Sequence, residues 1–337
     1  MSNRNYIIPV FVPHLGCPHD CVFCNQEEIT GIKKRINPQE VNEQINDYLA
    51  TIPKSANRIE VAFYGGSFTA IEQEYQQQLL TVAQQRLEQD DLTGVRLSTR
   101  PDYITSEILK YLQEFGVTTI ELGVQSLDNQ VLKAAGRGHT RLDVQKAVSL
   151  IKEYSFALGL QMMPGLPQST VESDLRTGRE IIALTPDFVR IYPTLVIKGT
   201  KLEGLYQQGD YQPLVLSQAV DLVARLVVKF RKAAIPVIRV GLQPSEGVNK
   251  DEVIAGPFHS SFRQLVDSKL MLDKVIKQIK AQKLEKITVI INPKDESNLR
   301  GQKNKNLIYL KENYDLKQIN IEASRALARG EIKVLTE

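Results

Sequence analysis

Over residues 6–192, short runs rich in Val, Ile and Phe alternate with longer segments of helical period, and this alternation leaves few choices of fold. A strand that crosses through a helix to its neighbour pairs with it in parallel, so such a chain builds a parallel sheet with helices packed against it. The strands read as 6–12, 58–63, 95–99, 118–122, 156–161 and 188–192, with helices at 38–52, 72–88, 142–152 and 170–183 between them. About six such units are too few for a closed eight-unit barrel and enough for an open one. In barrels of this kind, chemistry gathers where the strands end.

After Pro193 the pattern loosens: 198–213 reads as loop, 215–233 as helix and 236–240 as one more strand. The Gly256-Pro257 step interrupts it and predicts a boundary, with residues 1–255 as the core and 256–337 as a small α/β extension. That extension reads as helix 262–279, strand 286–291, helix 297–311 and strand 316–321. A chain of 337 residues, 42% hydrophobic and 24% charged, has material for one large domain and one small one. The net charge of +3 is too small to require a nucleic-acid partner. There is no twenty-residue apolar span and no signal-peptide pattern, so a reducing cytoplasm without a membrane partner is expected.

All three cysteines fall within eight residues, as Cys17-Pro-His-Asp-Cys21-Val-Phe-Cys24, at the end of the first expected strand. Three thiols cannot pair evenly as disulfides, and their closeness points to one metal or cluster. The spacing is neither that of a zinc ribbon nor the C-x2-C-x2-C run of bacterial ferredoxins. A four-iron cluster on three thiolates keeps one iron open to an outside ligand. Zinc completed by His14 or His19, or three free thiols, are the alternatives.

Cys17-x3-Cys21-x2-Cys24 resembles the signature of the radical S-adenosylmethionine (SAM) enzymes. The resemblance implies a partial (β/α)6 barrel, a [4Fe–4S] cluster on the three cysteines, SAM on the open iron and a 5′-deoxyadenosyl radical that abstracts hydrogen. It also implies a reductase or flavodoxin-type electron donor. Gly65-Gly66-Ser67-Phe68, at the second strand end, looks like the motif with which that family binds the SAM amino group, although two glycines there also suit an ordinary turn. Glu121-Leu-Gly-Val-Gln125-Ser126 and Gly136-Arg137-Gly138-His139 match the family further, implying that Gln125 meets the ribose hydroxyls and Arg137 the methionine carboxylate. His139 reads as a packing histidine. Gln161, before Met162-Met163-Pro164-Gly165, matches the segment that touches the ribose and flanks adenine. Phe23 and Phe68 are expected to give the site apolar cover.

In the branch that includes oxygen-independent coproporphyrinogen oxidase, an acidic residue stands where Thr99 is found. Leu97-Ser-Thr99-Arg100-Pro-Asp102-Tyr-Ile104 is instead similar to the Elongator subunit 3 (Elp3) family, whose members modify the wobble uridine of transfer RNA. The resemblance runs over about 6–212, and Lys198, Lys201 and Tyr206 would then stand near the mouth. It makes transfer RNA the first candidate substrate and a small metabolite or tetrapyrrole the second; a cluster-bearing binding or cofactor-delivery protein without turnover is the alternative of a different class. The acetyltransferase domain of Elp3 has no expected counterpart after Val240. In the extension, 287–291 and Gly301-Gln-Lys303-Asn304 look faintly like the GxxG segment of a KH domain, with Arg300, Lys303 and Lys305 as phosphate contacts. Asn304 replaces the second glycine, so a solvated basic turn is the plainer reading.

Overall fold

The computed structural model describes residues 5–12, 21–24, 35–245, 247–279 and 284–336. It divides into two compact units, 1–215 with 229–258, and 216–228 with 259–337. In the first, the strands β1 (Asn5–Val12), β2 (Arg58–Gly65), β3 (Gly94–Thr99), β4 (Val117–Gln125), β5 (Ala157–Met162), β6 (Phe188–Ile191) and β8 (Val237–Val240) form one parallel sheet in that order. It is the expected open barrel, with β8 as a seventh strand beside β6. Burial on both faces explains why the strands read as near-continuous apolar runs.

The crossovers are α1 (Pro38–Thr51), α2 (Gln73–Glu88), α3 (Ser106–Glu114), α4 (Asn129–Ala134), α5 (Arg141–Glu153) and α6 (Val171–Ala183). Their starts are encoded locally. Asn37 with Glu40, Thr140 with Asp143 and Thr170 with Ser173 form reciprocal caps that satisfy the first free N–H groups.

The stretch expected as loop over 198–213 holds a helix α7 (Lys201–Gln208), and just before it a short strand β7 (Val196–Ile197) pairs with β9 (Val253–Ala255). Thr200 caps that helix by accepting from Glu203 N at 3.2 Å, and Gly209, at φ +83°, ends it. Helix α8 (Leu216–Lys232) contributes 216–228 to the second unit.

The second unit contains α9 (Phe262–Ile279), β10 (Lys286–Ile291), α10 (Glu296–Arg300), α11 (Lys305–Tyr314), β11 (Gln318–Ala323) and β12 (Ile332–Thr336). Strand β10 lies between parallel β11 and antiparallel β12. Ile287, Val289 and Ile291 join Leu272, Val275, Leu299 and Leu310 in its core. The helix expected over 297–311 is two helices, because Gly301, Lys303 and Asn304 all take left-handed backbone at φ +68°, +54° and +61°.

Candidate functional site

The carboxyl ends of the strands bring most of the predicted residues together. Gly65 ends β2, Thr99 ends β3 and Gln125 ends β4. Gly65 has φ +123°, and a Cβ there would lie 2.1 Å from the Val12 carbonyl oxygen. Only glycine lets β1 and β2 meet at that point. Gly66 follows in the same turn. The hydroxyls of Ser67 and Thr69 lie 2.9 and 2.6 Å from that of Thr99, and all three are buried. These groups tie the end of β2 to the end of β3 and use each other as partners.

Cys21 and Cys24 lie in the segment after β1; Cys17, with His14 and His19, lies outside the described residues. Cys24 N donates to Cys21 O at 2.9 Å, closing a tight turn. Val22, between them, donates to Ala135 O at 3.1 Å and accepts from Leu202 N at 2.7 Å. Val22 and Phe23 pack on Val131, Ala135 and Leu166 on one side and on Val196, Leu202 and Tyr211 on the other. Phe23 thus walls the cysteine turn. Phe68 stacks on Phe63 with centroids 5.1 Å apart and is core.

Arg137 sits over that turn, 7% exposed. Its Nη1 donates to Cys21 Sγ at 3.4 Å and its Nη2 to Gly123 O at 2.6 Å, while its Nε has no partner. Cys21 is itself 3% exposed. A guanidinium over a buried sulfur offers it a charge-assisted donor. The guanidinium expected to meet the SAM carboxylate is therefore already engaged by the Cys21 sulfur and the Gly123 carbonyl. Arg100 donates to the Arg137 carbonyl and pairs with Asp102 at 3.0 Å, fixing the loop from behind. His139 lies beneath, with Nε2 donating to Val124 O at 3.2 Å. Burial first, then the charges of Arg137 and Arg100, hold its pKa down at about 3, so the ring is neutral.

Gln125 stands beside this group with φ +65°, where the β4 to β5 register shifts. Its Oε1 is buried without a partner. A Cβ on Gly123 would lie 3.1 Å from its Nε2 and 3.3 Å from Arg137 Nη2, so the bare glycine lets both polar ends pack against this corner. A buried acceptor left without a partner fits a donor such as a ribose hydroxyl. Gln161 lies half-buried on β5, opposite Gly123 on one side and Arg190 on the other.

Below the strand ends the barrel is filled by charge. Arg96 pairs with Glu60 at 2.6 Å and with Glu121 at 2.9 Å, and Glu121 pairs with Arg190 at 2.5 Å. Every charge in the row is buried and compensated. Desolvation alone would lower the arginine pKa values, and the paired carboxylates more than reverse it. Arg190 also donates to Tyr64 OH at 2.7 Å and to Tyr192 OH at 3.4 Å, and Tyr64 OH donates to Glu121 at 3.2 Å. Burial first, then Glu121, pushes the Tyr64 phenol well above its ordinary range. The exposed ring of Phe11 lies 6.4 Å from that of Tyr64, so the floor of the mouth is aromatic with a guanidinium under it. These residues do not stand out as a group in the sequence. Singly, the signal is present: Glu60 and Tyr64 on β2, Arg96 on β3 and Arg190 on β6 are polar residues in otherwise apolar strands.

Comparison with known proteins decides the family. A profile of the radical SAM superfamily matches residues 11–178, and one of the Radical_SAM C-terminal domain matches 186–271. The chain belongs to the radical SAM superfamily. It is 27% identical over 257 residues to the tRNA uridine(34) acetyltransferase of Methanocaldococcus infernus, covering 65% of this chain and 48% of that one. It is 30% identical over 260 residues to Elongator complex protein 3 of Saccharomyces cerevisiae, covering 64% and 46%. The chain thus spans about half the length of the curated relatives it matches. Among solved structures, the archaeal Methanocaldococcus infernus Elp3 with an N-terminal deletion superposes with TM-score 0.62 at 25% identity, over 82% of this chain and 64% of that one. Radical SAM proteins are enzymes that work with a [4Fe–4S] cluster and SAM, and the closely spaced thiols and the Gln125 corner fit that pair.

Proposed function

We propose that this radical SAM enzyme abstracts a hydrogen atom from a nucleoside of transfer RNA, with Cys17, Cys21 and Cys24 holding the cluster. The observation that carries the cofactor assignment is Arg137, bridging Cys21 Sγ and Gly123 O beside the unpartnered Gln125 Oε1. The chemistry the pair supplies when bound is hydrogen abstraction by the 5′-deoxyadenosyl radical made from SAM. Within this reading, Arg137 steadies the cysteine turn and Gln125 accepts from the ribose. The backbone of Gly65 and Gly66 takes the amino group, Gln161 flanks the nucleoside, and Ser67 and Thr99 hold the turn in register. Val22 and Phe23, packed against Leu166, keep water from the cysteines. Phe11, Tyr64 and Tyr192, with Arg190 beneath them, face the substrate, and a flat base meets a suitable floor there.

Support for transfer RNA comes from the relatives, whose printed names include tRNA uridine(34) acetyltransferase. The electron is taken to come from a flavodoxin-type donor. The test is the nucleoside inventory of a deletion strain. One transfer-RNA nucleoside disappearing and its precursor accumulating supports the reading, and an unchanged inventory removes the RNA substrate.

A further inference from the structure

The second unit is basic in a way the whole chain is not: over 259–337 there are sixteen Lys and Arg against ten Asp and Glu, while the full chain carries only +3. The excess collects at one end of its sheet. Lys294, Arg300, Lys303 and Lys305 lie where β10 gives way to α10 and α11, and Arg325 and Arg329 follow the same end of parallel β11. Of the acids at that end, Asp295 pairs with Arg329 at 2.6 Å and Glu296 with Arg300 at 2.8 Å, Glu331 accepts from Ala328 N at 3.0 Å, and Glu322 lies on β11. Among the described residues, Lys294, Lys303, Lys305 and Arg325 make no ion pair, and all four are exposed.

Beside this charge lies an apolar platform. Ile308 and Tyr309 are 48% and 42% exposed, three and four residues after Lys305, so they share its face of α11. The bend that presents them is held from below. Asn306 Nδ2 sits 3.0 Å from both Ser268 O and Ser268 Oγ, 3.2 Å from Asn298 O and 3.1 Å from Leu299 O. A Cβ on Gly301 would come within 3.0 Å of Ser268 Oγ, so the bend is also tightly packed. The tip is therefore a prepared surface with lysines and an aromatic ring side by side.

We propose that this end of the second unit binds single-stranded RNA. Lys294, Lys303, Lys305 and Arg325 hold phosphates, and Tyr309 with Ile308 receives unstacked bases. An anionic membrane is the poorer match, because α11 is ten residues long and Glu312 follows the two exposed apolar positions. The surface deepens the transfer-RNA reading and rests on it for the identity of the RNA.

The experiment uses the full reconstituted chain, fluorescence anisotropy and two probes, an unmodified transfer-RNA transcript and a labelled twelve-nucleotide oligouridylate. The variants are K303E/K305E and Y309A, with K277E/K333E as an equal charge change elsewhere in the unit. We expect K303E/K305E to weaken binding roughly tenfold and to flatten the salt dependence by between about one and two units of slope. Y309A should weaken it at least about fivefold. K277E/K333E should stay within about twofold, and SAM cleavage without RNA should be the same in all. Variants that bind both probes like the parent overturn the surface and leave the transfer-RNA reading standing. A parent chain that binds neither probe removes both. Retention on phosphatidylserine vesicles that the same variants abolish, with RNA binding unaffected, overturns the surface in favour of a membrane contact.

Discussion

Arg137 and Cys21 are 116 residues apart in the chain, yet Arg137 Nη1 donates to Cys21 Sγ at 3.4 Å with both side chains buried. Hydrogen bonds and positive charge at a cluster sulfur stabilise the reduced state. Replacing Arg137 with Gln removes the charge and shortens the donor's reach. The expected result is a reconstituted R137Q protein with parental iron content but a more negative cluster midpoint potential in an EPR-monitored titration, and R137K in between. An unchanged potential would show that the contact does not act on the cluster.

Gly65 and Gly204 form a matched pair of tests. Adding a Cβ at Gly65 drives it to within 2.1 Å of the Val12 carbonyl at φ +123°, whereas one at Gly204, inside α7, meets nothing within 4 Å. G65A should cost about 2–4 kcal/mol, from backbone strain plus the separation of β1 from β2. G204A should stabilise by about 0.5–1 kcal/mol. Urea unfolding of both variants checks the opposite signs.

Glu121 is held by Arg96 and Arg190 together. E121Q leaves the buried Arg190 without a carboxylate and Arg96 with Glu60 alone, and should cost about 3–5 kcal/mol. Because the partners share one network, E121Q/R190Q should cost clearly less than the sum of the single changes. Additive effects in denaturant titrations would contradict the network.

Asp174 lines a cavity of about 160 Å³ behind the β5 loop and accepts from Gly165 N at 3.0 Å. Burial pushes its pKa up from 3.8 to about 7. The folded state therefore holds the proton more tightly than the unfolded state does. Stability from this group is complete below pH 3.8 and is lost as pH rises through about 7. D174N keeps an acceptor for Gly165 without the charge. It should raise the melting temperature at pH 8.5, by up to about 4 kcal/mol equivalent, and change little at pH 4.

Much of the barrel was legible because its strands are buried on both faces and separated by capped helices. Thr140 with Asp143 and Thr170 with Ser173 announce α5 and α6 in the chain itself. Helix α7 was equally announced, by Thr200 and Gly209, but at eight residues it gives too short a period to stand out from a loop. The break between α10 and α11 was not legible, since left-handed Lys303 and Asn304 are imposed by packing around Asn306. At the site, the cysteine spacing pointed to Cys21, and the family resemblance pointed to Gln125 and Arg137. The contact between Arg137 and sulfur depends on a fold that brings 21 to 137, and the charged row from Glu60 to Arg190 spans four strands whose inward faces only the sheet aligns.

The central claim is most directly tested by incubating the anaerobically reconstituted chain with SAM and dithionite and measuring 5′-deoxyadenosine. The account predicts its release by the parent protein and its loss in C21A, alongside about four irons per chain and an iron–sulfur absorbance band. Zinc at one per chain with no iron-linked absorbance after reconstitution, or SAM recovered intact beside a sound cluster, would contradict it.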